Sequence, residues 1–165
     1  MMIEIPEDIN PELIGLAWLR GSWRGTGFRE WPGLEKIEFG IQVDFVENGS
    51  DYLHYLAQSY LLDEQGAPAT PLDMETGFWR AFRDASVEVE MCSPDGFAEI
   101  WVGKLQPNRV DLITDAVART ANAKVAYNSG RRIYGVVEGK LMFAFDRSTE
   151  EHPLQPYIWA TLERA

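Results

Sequence analysis

The side chains that could do chemistry in this chain are few and scattered. There are two histidines, His54 and His152, and one cysteine, Cys92. No serine, cysteine or histidine arrangement is typical of nucleophilic catalysis, and no glycine-rich loop leads into a helix that could hold a phosphate. We expect Cys92 to be a small buried apolar residue, His54 to be hydrogen-bonded or exposed on a strand, and His152 to lie in a loop.

Glu75 and Arg80 form a second set of polar candidates. Their odd separation places them on opposite faces of a regular strand, so a direct pair between them is not expected. A buried Arg80 would need a carboxylate partner, which Glu90 or Glu99 on neighbouring strands could supply. We expect a structural ion pair, and a clamp on a substrate is the alternative.

Length and charge limit the classes of protein to consider. At 165 residues the chain can bury a core without disulfides or metal, and we expect one domain over residues 1–165. A single cysteine allows no internal disulfide, so a cytoplasmic location is expected. The net charge of −11 argues against nucleic-acid and membrane partners, and a homodimer stays open. Residues 1–8 lack the pattern of a signal peptide, and no apolar run could span a bilayer.

Turn residues and hydrophobic alternation predict an all-β chain after one short helix, which begins at Asn10-Pro11 and ends near Gly21. The alternating segment 37–45 is the clearest strand, and residues 63–71 are predicted to form a loop. The other predicted strands are 21–27, 52–62, 75–83, 87–91, 97–105, 110–114, 123–127, 132–137, 141–145 and 157–163. Ten or eleven short strands predict an antiparallel barrel or sandwich. The barrel is favoured because several strands carry polar residues on both faces, as expected around a ligand cavity.

The first predicted strand carries three glycines around one tryptophan, in the order Gly21, Trp23, Gly25 and Gly27. Glycine inside a strand permits tight bending and a close approach between backbones, as where a sheet closes on itself. We expect Trp23 to be a core anchor beside this closure.

These motifs resemble those of the nitrobindin family, haem-binding β-barrels similar to lipocalins and fatty-acid-binding proteins. The resemblance runs from about Leu19 to the C-terminus. It rests on the G-x-W-x-G-x-G motif and on three further matches: the E-x-G-aromatic-x-R strand with Glu75, Gly77 and Arg80, the Ala-Lys-Val segment with Lys124, and the final segment 160–164. It implies a closed antiparallel ten-stranded β-barrel whose mouth holds a ferric haem b, with nitric oxide binding and peroxynitrite isomerisation as the activity.

The resemblance also exposes two departures at positions that would face haem. The family's proximal histidine, in the last strand, aligns with Tyr157, and a threonine that approaches the haem aligns with Gly33. A phenol must lose a proton, with a solution pKa near ~10, before it binds ferric iron well. Alternation places Trp159 on the face of Tyr157. The resemblance implies that Lys124 meets a haem propionate or another carboxylate, and an exposed lysine is the alternative.

We therefore expect a ferric nitrobindin-like barrel that binds a small hydrophobic or amphipathic ligand, with no catalytic residue, no metal and no cofactor. The alternative is an enzyme that holds haem b through Tyr157 and isomerises peroxynitrite. A third reading is a cavity filled by its own aromatic side chains. The aromatic residues expected to line or fill the barrel are Phe39, Tyr55, Phe78, Trp101, Phe143, Tyr157 and Trp159.

Overall fold

A computed structural model describes residues 8–165, so the N-terminal segment 1–7, on which the signal-peptide prediction largely rests, lies outside the described part. A 3₁₀ helix spans Pro11–Leu19. Ten strands follow: β1 (Gly21–Arg29), β2 (Ile37–Val46), β3 (Leu53–Leu62), β4 (Pro68–Ala81), β5 (Ser86–Ser93), β6 (Phe97–Gln106), β7 (Arg109–Arg119), β8 (Tyr127–Val137), β9 (Lys140–Thr149) and β10 (Gln155–Arg164). Within residues 8–165, the chain has no helix of the length and apolarity that crossing a bilayer requires.

The strands form a closed antiparallel barrel in which each pairs with its neighbours in sequence and β1 pairs with β10. The predicted ten-stranded antiparallel barrel with a short N-terminal helix is therefore confirmed. Short hairpins join most of the strands, and the turn at Asn48-Gly49 lies between the paired strands β2 and β3. A closed barrel leaves no unpaired sheet edge, so every strand has a partner on both sides.

The glycines of β1 lie where the barrel closes. A Cβ built on Gly27 would stand 2.5 Å from the carbonyl oxygen of Trp159, and one on Gly25 would overlap the carbonyl oxygen of Thr161. Both carbonyls belong to β10, the strand that closes the barrel on β1. The glycines therefore allow the first and last strands to approach as closely as this pairing requires.

The 3₁₀ helix covers one end of the barrel. The Asn10 side chain accepts a hydrogen bond of 3.0 Å from the backbone N–H of Glu12, which caps the first turn. Leu13, Leu16 and Leu19 are fully buried against the strands. Trp23 is 1% exposed, and its indole N–H donates to the carbonyl of Leu19 at 2.8 Å, so the predicted anchor also joins the helix to β1.

The other end of the barrel is its mouth, which we define by the loops that join β1 to β2, β3 to β4, β5 to β6, β7 to β8 and β9 to β10. Two segments near the mouth differ from the prediction. Residues 123–126 form no strand. Strand β8 instead begins at Tyr127 and continues, with a β-bulge, through residues 128–131, which separate two of the predicted strands. Strand β4 begins at Pro68, inside the predicted loop, because its first residues pair with the end of β3.

Candidate ligand-binding site

A cavity of about 80 Å³ lies inside the barrel and extends toward the mouth. Apolar and charged side chains share its lining. Phe39, Ile41, Phe143 and Phe145 are among the apolar residues, and the charged residues are Asp73, Glu75, Asp95, Glu99, Arg132 and Arg147. Aromatic residues therefore fill part of the interior, as the hypothesis of a self-filled cavity expected. An open space lined by polar side chains remains.

Glu75 and Arg132 form an ion pair in the barrel interior. One Arg132 nitrogen donates to a Glu75 oxygen at 2.8 Å and a second nitrogen donates to the other oxygen, while the Tyr55 hydroxyl donates to Glu75 at 2.7 Å. Arg132 is 2% exposed, and its guanidinium lies 4.2 Å from the centre of the Phe145 ring. Burial alone would raise the pKa of Glu75, but the charge and hydrogen bonds of Arg132 outweigh it and lower that pKa. Glu75 is thus ionised at neutral pH.

Glu99 lies deeper in the same interior. Its carboxylate accepts a hydrogen bond of 3.0 Å from the Trp101 indole N–H. Burial raises the pKa of Glu99, and the Arg132 charge opposes this only in part. Glu99 therefore holds its proton to a higher pH than an exposed glutamate does.

Tyr157 points into the barrel and is 9% exposed. A β-bulge between Pro156 and Ile158 brings Tyr157 and Ile158 together onto the cavity side. The bulge overturns the predicted alternation, since Trp159 lies on the outer face, where it stacks on Phe28. Trp159 therefore takes no space inside the barrel.

Arg147 covers the phenol ring of Tyr157. Its guanidinium carbon lies 3.6 Å from the centre of the Tyr157 ring and 4.5 Å from that of Trp31. Burial raises the pKa of the Tyr157 phenol, although the Arg147 charge acts in the opposite direction. Tyr157 is therefore a neutral phenol at neutral pH.

Lys124 and Gly33 both lie at the mouth. Lys124 is exposed, and its ammonium pairs with Asp95 at 3.1 Å beside a surface groove of about 410 Å³. Gly33 occupies a turn with φ of 83°, and apart from its two chain neighbours no residue has an atom within 4 Å of the place where its Cβ would stand. Of the three residues that the resemblance assigns to ligand binding, only Tyr157 lines the interior cavity.

The E-x-G-aromatic-x-R strand is β4, and its two charged residues do face opposite ways. Arg80 lies on the outer face and pairs with Glu88 at 3.0 Å and Glu90 at 2.9 Å, which fits the predicted structural pair with Glu90. The Glu99 alternative is wrong because that side chain is inside the barrel. Gly77 lets the backbone of β5 approach, since a Cβ there would overlap the Glu90 carbonyl oxygen.

The histidines and the cysteine lie outside the cavity. His54 is hydrogen-bonded to Thr76 at 2.8 Å, and His152 lies between β9 and β10 with its ring against Trp31. Cys92 is exposed, whereas we expected it to be buried. On β5 it follows the buried Met91 and therefore lies on the opposite, outer face of the strand. Of the expected aromatic lining, Phe78 is also on the outside, about half exposed.

A closed ten-stranded barrel with a polar, aromatic-lined interior defines a class of small ligand-binding β-barrels. The sequence model of one protein family, the THAP4-like, heme-binding beta-barrel domain, matches residues 12–164. The chain belongs to this family, the nitrobindin family, as the motifs predicted.

Relatives of known name match along essentially the whole chain. A ferric nitrobindin-like protein of Cutibacterium acnes is 49% identical, over 100% of both chains. A peroxynitrite isomerase of a Nocardioides species is 37% identical, over 99% of both. The crystal structure of Rv2717c from M. tuberculosis has a TM-score of 0.85 and 27% identity, and the match covers 95% of this chain and 99% of that one.

The family implies haem, and the residues around Tyr157 do not fit a ferric haem. No histidine among residues 8–165 lines the cavity, so a neutral imidazole ligand is not available there. The one oxygen donor at the matched position is a buried phenol whose pKa is raised, and its ring is covered by Arg147.

Proposed function

We propose that this protein binds a small amphipathic ligand in its barrel and that it has lost the haem-iron chemistry of its family. The observation that supports this best is the environment of residue 157. A protonated tyrosine stands where the resemblance expects a proximal histidine, and a guanidinium lies against its ring. The cavity that remains combines aromatic walls with charged groups, which suits a ligand with one apolar part and one polar part.

One observation favours a second function, in which Tyr157 binds haem b as a phenolate and the protein isomerises peroxynitrite. The Arg147 charge lowers the pKa of Tyr157 and so acts against the effect of burial. The Nocardioides relative also carries the name peroxynitrite isomerase. If haem opened the site and displaced Arg147 from the ring, the guanidinium could stabilise a phenolate.

The visible spectrum of hemin mixed with the purified protein separates the two functions. We expect the wild-type chain and Tyr157→Phe to give the same spectrum, that of free hemin. His54→Gln serves as a matched control, because His54 lies outside the cavity and bonds only to Thr76. A sharpened Soret band that Tyr157→Phe loses and His54→Gln keeps would contradict our proposal and support haem binding through Tyr157, the premise of the second function.

A further inference from the structure

Arg147 is a buried cation without a partner. Only two arginines are buried among residues 8–165, and the other one, Arg132, is paired with Glu75. Arg147 is 5% exposed and makes no hydrogen bond or ion pair through its side chain with any residue of that range. A buried charge without a counter-ion destabilises the fold. The unpaired Arg147 guanidinium therefore indicates that a bound ligand supplies the anionic partner.

The Arg147 side chain faces the cavity. On β9 the buried residues Leu141, Phe143 and Phe145 share one face, and Arg147 continues that series toward the mouth. Its guanidinium stacks on the ring of Tyr157, an arrangement that leaves the N–H groups free in the guanidinium plane. These in-plane donors match the two oxygens of a carboxylate.

Arg29 adds a second cation on the same side of the mouth. It follows Trp23, Gly25 and Gly27 on the inward face of β1, and its Nε is buried without a hydrogen-bond partner. The strand between β1 and β9 is β10, and Arg29 is opposite Ile158 on that strand. The charge of Arg29 lowers the pKa of both Arg147 and Tyr157, as a neighbouring cation does.

The acidic residues near the mouth do not neutralise these arginines. Asp95 is paired with Lys124, and neither Asp95 nor Asp73 lies within ion-pair distance of Arg147 or Arg29. Burial raises the pKa of Asp73 to about 6, so Asp73 is still ionised at neutral pH, and the charge of Arg29 favours that ionised form. Asp95 and Asp73 line the same cavity as Arg147, but neither forms an ion pair with Arg147 or Arg29, so the donors of both arginines stay open to a bound carboxylate.

We propose that Arg147, assisted by Arg29, binds the carboxylate of a small aromatic or short-chain carboxylic acid whose apolar part enters the cavity. The inference rests on the proposed ligand-binding function and names the chemical class of the ligand. The cavity of about 80 Å³ has room for roughly five to eight water-sized groups, the size of a single ring with its substituent. Phe39, Phe143 and Phe145 provide the apolar wall.

Calorimetric titration with benzoate and with its neutral analogue benzamide tests this class of ligand. We expect the wild-type protein to bind benzoate at least tenfold more tightly than benzamide, because only benzoate carries a negative charge that can pair with the Arg147 guanidinium. Arg147→Met should abolish this preference by lowering the affinity for benzoate to that for benzamide. Arg109→Met is the control, since Arg109 pairs with Asp111 at the end of the barrel opposite the mouth.

Three results would overturn the proposal: equal affinity for the two compounds, a benzoate affinity that Arg147→Met leaves intact, or no binding of benzoate at all. Should Arg147→Met fail to fold, benzoate must still shift the Nε–H resonance of Arg147 in the nuclear magnetic resonance spectrum of the wild-type protein. An unmoved resonance would refute the site. The hemin spectrum does not depend on this titration, so the loss of haem chemistry is judged separately.

Discussion

At the scale of single residues, the barrel interior contains two buried arginines with opposite circumstances. Arg132 donates to both oxygens of Glu75, so its charge is matched inside the barrel. Arg147 has only aromatic rings against it. Arg132 therefore stabilises the fold, whereas Arg147 is available to bind a ligand.

Removing one member of the Glu75 and Arg132 pair should be costly, because the other charge would remain buried without a partner. We predict that Arg132→Met lowers the free energy of unfolding by about 3–5 kcal/mol, as measured by urea denaturation. Adding Glu75→Gln to Arg132→Met should restore part of this loss, because the unpaired carboxylate is then gone.

The outer pairs of Arg80 provide the comparison. Arg80 is partly exposed beside Glu88 and Glu90, and Arg80→Met should cost about 1 kcal/mol or less. Equal losses for Arg80→Met and Arg132→Met would contradict the assignment of Arg132 to a desolvated ion pair.

Asp73 should make stability depend on pH. Burial raises its pKa from 3.8 to about 6 in the fold. Between these two values the folded protein holds a proton that the unfolded chain releases, so this group lowers stability as the pH rises, and the loss is complete above about 6. We predict that Asp73→Asn stabilises the protein by roughly 1 kcal/mol more near neutral pH than near pH ~4.

Urea denaturation of both proteins across this pH range measures the difference. Asp111→Asn is the control, because Asp111 lies at the opposite end of the barrel beside Arg109. A gain from Asp73→Asn that does not change with pH would mean that the Asp73 carboxyl titrates normally.

Strand alternation in the sequence places both buried arginines on the inner face of the barrel, although arginine is a residue type that is usually exposed. Arg132 shares its parity with Gly130 and Tyr134 on β8, and Arg147 shares its parity with Phe143 and Phe145 on β9. An arginine is normally exposed, so the type of residue argued against the face that the alternation assigned. Glu75 was recognised as facing away from Arg80, but its partner lies 57 positions away and no local pattern indicates it.

At the scale of elements, β1 is the strand on which closure depends. We predict that Gly27→Ala lowers the free energy of unfolding by about 1–3 kcal/mol, because its Cβ would press on the Trp159 carbonyl and the Ala160 side chain. Gly135→Ala on β8 is the matched control, since its nearest neighbour would be an ordinary 3.4 Å away, and its effect should stay within ~0.5 kcal/mol. Similar effects of the two substitutions in thermal or urea unfolding would show that closure at β1 does not need glycine.

Alternation predicted most of the strands because each has one face on the core and one outside. It failed where a bulge changed the parity. The bulge in β10 brings Tyr157 to the same side as Ala160 and Leu162, and the one in β8 carries the strand through a segment rich in turn residues. Both are set by pairing with strand β9, a long-range contact that a local pattern does not contain.

At the scale of the whole molecule, the barrel has one closed and one open end. The 3₁₀ helix covers the first, and the second carries Tyr157, Arg147, Arg29 and the Lys124 pair with Asp95. The chain is acidic as a whole, with a net charge of −11, yet Arg147 lines the cavity near the mouth without an ion-pair partner. An anionic group is therefore attracted to one place inside the barrel, the Arg147 side chain.

The haem content of the protein purified from haem-replete cells tests the central claim most directly. We predict far less than one haem per chain, in the wild-type protein and in Tyr157→Phe alike, because the phenol of Tyr157 is neutral and no imidazole of the described residues 8–165 lines the cavity. One haem per chain in the wild-type protein, lost in Tyr157→Phe, would contradict it.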